Sequence, residues 1–298
     1  MSVESPQYRS KIAIYDLASR SSRIIFEGDG IIEAPNWSRD GGHLLVNTRG
    51  DLLRLPASGG ALERIDLGPG GHRCNNDHDY SPDGSRIAFS AASFESEKSQ
   101  VFVCKADGSG VRLITPEAPS YFHGWSPDGA WLAFVAERGD GNYELYRIPA
   151  EGGPEERLTF AGGYDDGPEY GPDGRHIYFN SNRSGRWEIW RMPATGAGGS
   201  GDPLAEQVTN DAPEDWFPHI SPDGRWMVFL SFPAGTEGHN GRMPSMVLRL
   251  RATPGKKLGE APVEVLETFF GGQGTINVNS WAPDSTKFAY VIYELVSD

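Results

Sequence analysis

Apolar residues along this chain come in short runs of strand length, separated by polar or glycine-rich stretches. The three-to-four spacing of a buried helix face is almost absent. The runs recur in a fixed setting. An aromatic or apolar residue precedes Ser, Gly or Ala, then Pro-Asp-Gly, then an apolar run such as Ile87–Ala92 or Leu132–Ala136. Six copies are present, at Asp40, Asp83, Asp128, Asp173, Asp223 and Asp284, spaced by 43, 45, 45, 50 and 61 residues. The first has Arg39 where the others have proline, and the last has Ser285 where the others have glycine. Strand-like segments repeating every 40–45 residues or so are the signature of propeller blades.

Each phrase is turn chemistry. Proline presets φ, aspartate bonds back to the backbone, and glycine accepts positive φ. It predicts a hairpin joining strands a and b. Six residues after each aspartate stands Val46, Phe89, Phe134, Phe179, Phe229 or Tyr290, a large apolar side chain placed to pack between blades. Runs such as Glu144–Pro149 and Trp187–Met192 supply strand c, and Glu156–Thr159 strand d. The chain opens on Lys11–Asp16 and Arg23–Phe26, which read as c and d. It closes on Asn277–Trp281 and Lys287–Tyr293, which read as a and b. The expectation is an all-β fold and one domain over residues 1–298. It is a six-bladed propeller of four-stranded antiparallel blades, with the N-terminal strands completing the C-terminal blade and removing two sheet edges. The 61-residue spacing is assigned to an insertion near 232–244 and a Pro/Gly-rich stretch near 253–262.

In such a ring the loops entering strand a and those joining b to c share one face. Alternation along a strand gives residues two and four before the repeated aromatic a common direction. The first set is Pro35, His78, His123, Pro168, Pro218 and Asn279; the second is Glu33, Asn76, Tyr121, Asp166, Trp216 and Asn277. Asp79, Glu169 and His219, one residue before the aromatic, are expected to point away. The b–c loops add Arg138 and Arg183, and a Gly-rich approach adds Gln273. The candidate ligand-binding residues are therefore Glu33, Asn76, His78, His123, Arg138, Asp166, Arg183, Trp216, His219, Gln273, Asn277 and Asn279. His78 and His123 either bridge blades by hydrogen bonds or hold a divalent metal. His43 and His176 read as structural. His72, His219 and His239 read as loop residues facing solvent, although His219 stays among the candidates.

The formal charge of −14 argues against nucleic acid or an anionic membrane as partner, since both need a basic footprint. Two cysteines, Cys74 and Cys104, are too few for a disulfide framework. Residues 1–17 have no basic segment followed by an apolar one, and no run reaches the roughly 20 apolar residues of a membrane span. The expected location is the cytoplasm, provided no leader was removed. HExxH, CxxC, P-loop and Gly-x-Ser-x-Gly motifs are absent.

At its Ser-Pro-Asp-Gly repeats the chain resembles the TolB-like six-bladed propellers, over residues 10–298 or so. Tyr121–Gly129, Gly163–Glu169 and Phe270–Asn277 look like a soluble subgroup of that family. TolB proteins carry an added N-terminal domain and work in the periplasm with the Tol–Pal system; this chain shows neither a leader nor that domain, so the resemblance implies the fold and not that role. A looser resemblance is to oligogalacturonate lyases, seven-bladed enzymes with a metal on His and Gln. The functional expectation is a binding module for a small polar ligand or a protein partner at the channel mouth. The alternative is a metal-assisted lyase or hydrolase acting on an acidic or polar sugar.

Overall fold

The repeated phrase closes the same turn around the ring. In the second copy Ser81 Oγ donates to Asp83 Oδ1 at 2.6 Å and accepts from Arg86 N at 3.0 Å, while Ser85 N donates to the same carboxylate at 3.0 Å. The side chains thereby satisfy turn amides that no strand partner reaches. Gly84 takes φ +72°, and Ser285 is forced to φ +60° at the matching place in the last copy.

The structure is a computed structural model describing residues 7–139, 141–252 and 262–296. Five blades are four-stranded antiparallel sheets in chain order. Blade 1 runs from Glu33 to Arg64, blade 2 from Arg73 to Leu113 and blade 3 from Ser120 to Arg157. Blade 4 runs from Asp165 to Gln207 and blade 5 from Glu214 to Gly272. Blade 6 joins the ends of the chain. Lys287–Leu295 pairs along its whole length with Tyr8–Asp16, which pairs in turn with Ser21–Asp29. The expected strand Asn277–Trp281 reduces to a single bridge from Trp281 to Phe288, and a 3-10 turn, Gln273–Thr275, precedes it. Among the described residues no helix is long and apolar enough to cross a membrane.

The core lies between blades. All six side chains at the fixed offset are fully buried. Phe134 packs with Ala88 and Val101 of the preceding blade, Phe179 with Ala133 and Leu145, and Val46 with Ala289 and Val291 across the closure. In blade 5 the insertion is a long b–c connection followed by an eleven-residue strand, Arg242–Ala252. The stretch 253–261 lies outside the described residues. Cys74 and Cys104 are buried free thiols, as expected.

Candidate functional site

The innermost strands do not alternate as a flat strand would. In each of the first five blades the a–b register slips just before the repeated aromatic. In blade 3 the extra residue is His123, since Phe122 faces Phe134 and Gly124 faces Ala133. In blades 1, 4 and 5 the slip holds Pro35, Pro168 and Pro218, each preceded by a left-handed residue: Ala34 at +54°, Gly167 at +60° and Phe217 at +56°. A bulge re-aims every side chain beyond it. Residues expected to point away thus reach the channel, among them Asp79 and Glu169.

Two cavities open at opposite ends of that channel, and His123 lines both. The upper one, about 480 Å³, is bounded by Asn75, Asn76, Asp77, Tyr121, Tyr143 and Tyr164, with Asp166, His239, Asn240 and Gln273. The lower, about 330 Å³, has a collar of prolines from the turns (Pro82, Pro127, Pro172, Pro222 and Pro283) above Asp79, Glu169 and Asn279. A larger hollow of about 660 Å³ lies between the outer parts of blades 1 and 2, lined largely by glycine and apolar residues around His72, Phe94 and Phe102.

In the upper cavity His123 Nε2 lies 3.2 Å from Asp166 Oδ1 and 4.0 Å from Asp77 Oδ1. His239 Nε2 lies 3.5 Å from Asp166 Oδ2. All four groups are buried. Burial alone would lower the pKa of His123, but its bond to Asp166 and the charges of Asp77 and Asp166 outweigh it and hold the pKa above the ordinary value. Asp166 is likewise held below the usual carboxylate range, because His123 and His239 overcome its desolvation. Asp77 shares less of that help, and burial raises it to about 6. Asn277 Nδ2 donates to Asp77 Oδ1 at 2.7 Å and to Asn76 O at 3.0 Å, tying the closing blade to blade 2. Burial raises Tyr121 to about 12 and pushes Tyr164 up as well, so both phenols keep their protons.

At the lower end Arg39 donates to both oxygens of Asp79, at 3.1 and 3.0 Å, and Asn36 also donates to that carboxylate. Asp79 is nonetheless raised by burial to about 6. His219 bridges Glu169 and the carbonyl of Ile276, while Asn279 Nδ2 donates to Glu169 Oε1 at 2.7 Å.

The structure thus gathers Asn76, His123, Asp166 and Gln273 at one cavity and places Asn279 at the other. Other candidates go elsewhere. His78 lines neither cavity; it is wholly buried with Nε2 3.4 Å from Asn47 Oδ1, an interblade contact, and burial lowers it to about 3. Trp216 is buried beneath His239, its ring centroid 4.2 Å away. Glu33 pairs with Arg242. Arg138 is bound to Glu155 through two nitrogens, at 2.9 and 3.0 Å, and also to Ser120 and Pro119 O. Arg183 is clamped by Asp165 and Asp202 over Phe179 and Trp190. Each arginine is tied within its own blade, Arg138 in blade 3 and Arg183 in blade 4, and neither lines a channel cavity.

His219 and His239 do not face solvent, because the blade 5 insertion folds His239 back onto Trp216 and Phe217. His72 is half-buried against Phe89 and Phe102. Asp77, Asp79, Glu169, Tyr143, Tyr164 and Asn240 are channel residues that strict alternation misses.

A family model described as the TolB beta propeller domain matches residues 79–240. An uncharacterized protein of Agrobacterium fabrum is 41% identical over 286 residues, 96% of this chain and 92% of its own. A solved structure described as a TolB from Agrobacterium tumefaciens superposes with a TM-score of 0.89 at 41% identity, covering 97% of this chain and 99% of that one. TolB from Acinetobacter baumannii shares the fold at a TM-score of 0.62 and 19% identity, over 89% of this chain and 64% of its own.

Proposed function

Because the chain belongs to the TolB β-propeller family, we propose that it acts as a binding module whose ligand enters the upper channel cavity. The observation that carries this reading is the cavity's dense polar lining beside an aromatic wall. Asp77 and Asp166 are acceptors, while Tyr121, Tyr143 and Tyr164 offer aromatic surface. A carboxylate accepts hydrogen bonds and donates none when ionised. A pocket that sets these acceptors beside amide and phenol donors (Asn75, Asn76, Asn240, Gln273 and the tyrosine hydroxyls), with an aromatic wall, suits a small polar ligand that both donates and accepts, such as a sugar or an amine. A protein partner presenting such side chains would use the same mouth. A fold alone does not specify chemistry, and the reading rests on the site. The metal-dependent alternative loses its motivation, since His78 stands apart from His123 in the wall between blades.

The test is a thermal-shift and calorimetric screen of neutral sugars and primary amines against the full chain. A ligand is expected that raises the melting temperature and weakens by tenfold or more on Asp166→Asn. A screen without a binder, or binding indifferent to Asp166→Asn, would overturn the proposal.

A further inference from the structure

The repeats provide an internal control for charge, and blade 4 departs from it. In blades 2, 3 and 4 a threonine hydroxyl accepts the amide at the start of strand c: Thr115 from Val101 at 2.8 Å, Thr159 from Leu145 at 3.1 Å and Thr209 from Ile189 at 2.9 Å. The residues just before those amides are therefore equivalent: Gln100, Glu144 and Glu188. In blade 2 the position is neutral, with Gln100 bonded to main-chain carbonyls. In blade 3 Glu144 is paired with Arg157 of strand d. In blade 4 the residue in the place of Arg157 is Gln207, since Tyr146 faces Arg157 and Trp190 faces Gln207. Glu188 is wholly buried, Oε2 accepts from Thr209 at 2.7 Å, and Oε1 has no hydrogen-bond partner.

A second carboxylate lacks the arginine of its repeat equivalent, and Arg249 reaches only one of its two oxygens. Asp165, at the start of strand a in blade 4, faces Ser181 and is clamped by Arg183. Asp215 stands at the equivalent place in blade 5 and faces Ser231, but the residue two after Ser231 is Pro233. Asp215 is wholly buried, and its Oδ2 is also without a partner.

These two carboxylates meet at the junction of blades 4 and 5. Glu188, Asp211 and Asp215 each bring a carboxylate oxygen within 4.8 Å of the others. Arg249 reaches Asp211 and Asp215, and the exposed Arg186 donates to the main-chain oxygen of Asp211 at 2.6 Å. Glu214 adds a further buried carboxylate beside them, held by the amides of Trp187 and Gly235. Among the described residues, only Asp211 and Asp215 of these four carboxylates are paired with a guanidinium, that of Arg249. Buried charge without a counter-charge is strongly unfavourable.

We propose that the Glu188–Asp211–Asp215 cluster is a site for a hard divalent cation, with calcium the leading candidate, that supplies the positive charge Arg157 and Arg183 bring to the equivalent carboxylates Glu144 and Asp165. All three ligands are oxygens, the donor type that calcium and magnesium take. Oxygens at the usual calcium distance of roughly 2.4 Å from one ion stand no more than about 4.8 Å apart, a limit that all three carboxylates meet. Asp211 is half-buried and leaves one side open to water ligands. The role is structural: the ion joins strand c of blade 4 to the entry of blade 5, away from the channel cavities.

The test is calorimetric titration of the chelator-treated full chain with calcium alone, together with its melting temperature. One ion per chain is expected. At a hundredfold excess over Kd the melting temperature should rise by about 5 °C. Glu188→Gln and Asp215→Asn should each abolish both effects. Gln207→Arg, which copies the pairing of blade 3 on a half-buried outer strand, should abolish binding while leaving the protein folded even where the carboxylate variants do not fold. Absence of calcium binding overturns the proposal, as does unchanged binding by Gln207→Arg or loss on Asp166→Asn, which would place the ion in the channel.

Discussion

At the scale of single residues, burial decides which ionisable groups can work and which only hold the ring together. His78 is held at about 3 by desolvation, far below the ordinary histidine value, so the folded protein keeps it neutral. The unfolded chain protonates it at about pH 6.5. Its contribution to stability is therefore fully present above pH 6.5 and is lost progressively as pH falls toward 3. At about 1.4 kcal/mol per pH unit, roughly 2 kcal/mol of that contribution has gone by pH 5. His78→Gln removes the titration. Wild type should exceed His78→Gln in melting temperature at pH 7.5, and the gap should shrink or reverse by pH 5. A gap that widens with acid would show that His78 is protonated in the fold. The same reasoning separates His78 from His123, which the charges of Asp77 and Asp166 hold above its ordinary pKa. Two histidines, each two residues before the repeated aromatic, are thus shifted in opposite directions because one is buried against an amide and the other faces two carboxylates.

At the scale of elements, the turn and the interblade wedge were both legible in the sequence, and they differ in energetic weight. Ser81→Ala removes a hydroxyl, buried at the base of the turn, that bridges Asp83 and Arg86 N. It should cost about 1 kcal/mol, or roughly 2 °C of melting temperature. Phe134→Ala empties a fully buried place between blades 2 and 3 and should cost about 3–5 kcal/mol. Equal melting temperatures for the two variants would mean that the blades do not rely on this wedge. The channel lining was harder to read. A period of two assigns Asp79 and Glu169 to the far side, and the bulge brings them to the channel. One signal was available: proline two residues before the aromatic in blades 1, 4 and 5 cannot donate to a ladder and marks a break in pairing. The left-handed turns at Ala34 and Phe217 had no such signal, because neither residue type favours that conformation. Gln273 was found from its Gly-rich approach, whereas His239 required knowing where a long insertion comes to rest.

At the scale of the whole molecule, the ring and its closure followed from the order of strand-like segments, but the charge deficit between blades 4 and 5 emerged only when equivalent positions were compared in space. Closure joins residues far apart in the chain, as nine pairs in an unbroken ladder between Tyr8–Asp16 and Lys287–Leu295. Ile12 and Ile14 are buried in the same cluster as Leu44 and Val46 of blade 1, so the N-terminal strand is packed as well as paired. Removing residues 1–29 takes away both outer strands of blade 6, exposes the edge of Lys287–Leu295 and uncovers that cluster. An exposed strand edge is a template for pairing with other chains. Each blade packs against the next, so the loss should not stay local. The truncated chain should melt at least 10 °C lower than the full chain or aggregate on expression, with near-ultraviolet dichroism lost in one step. A truncated protein with the melting temperature of the full chain would mean that blade 6 contributes little and that five blades hold the ring alone.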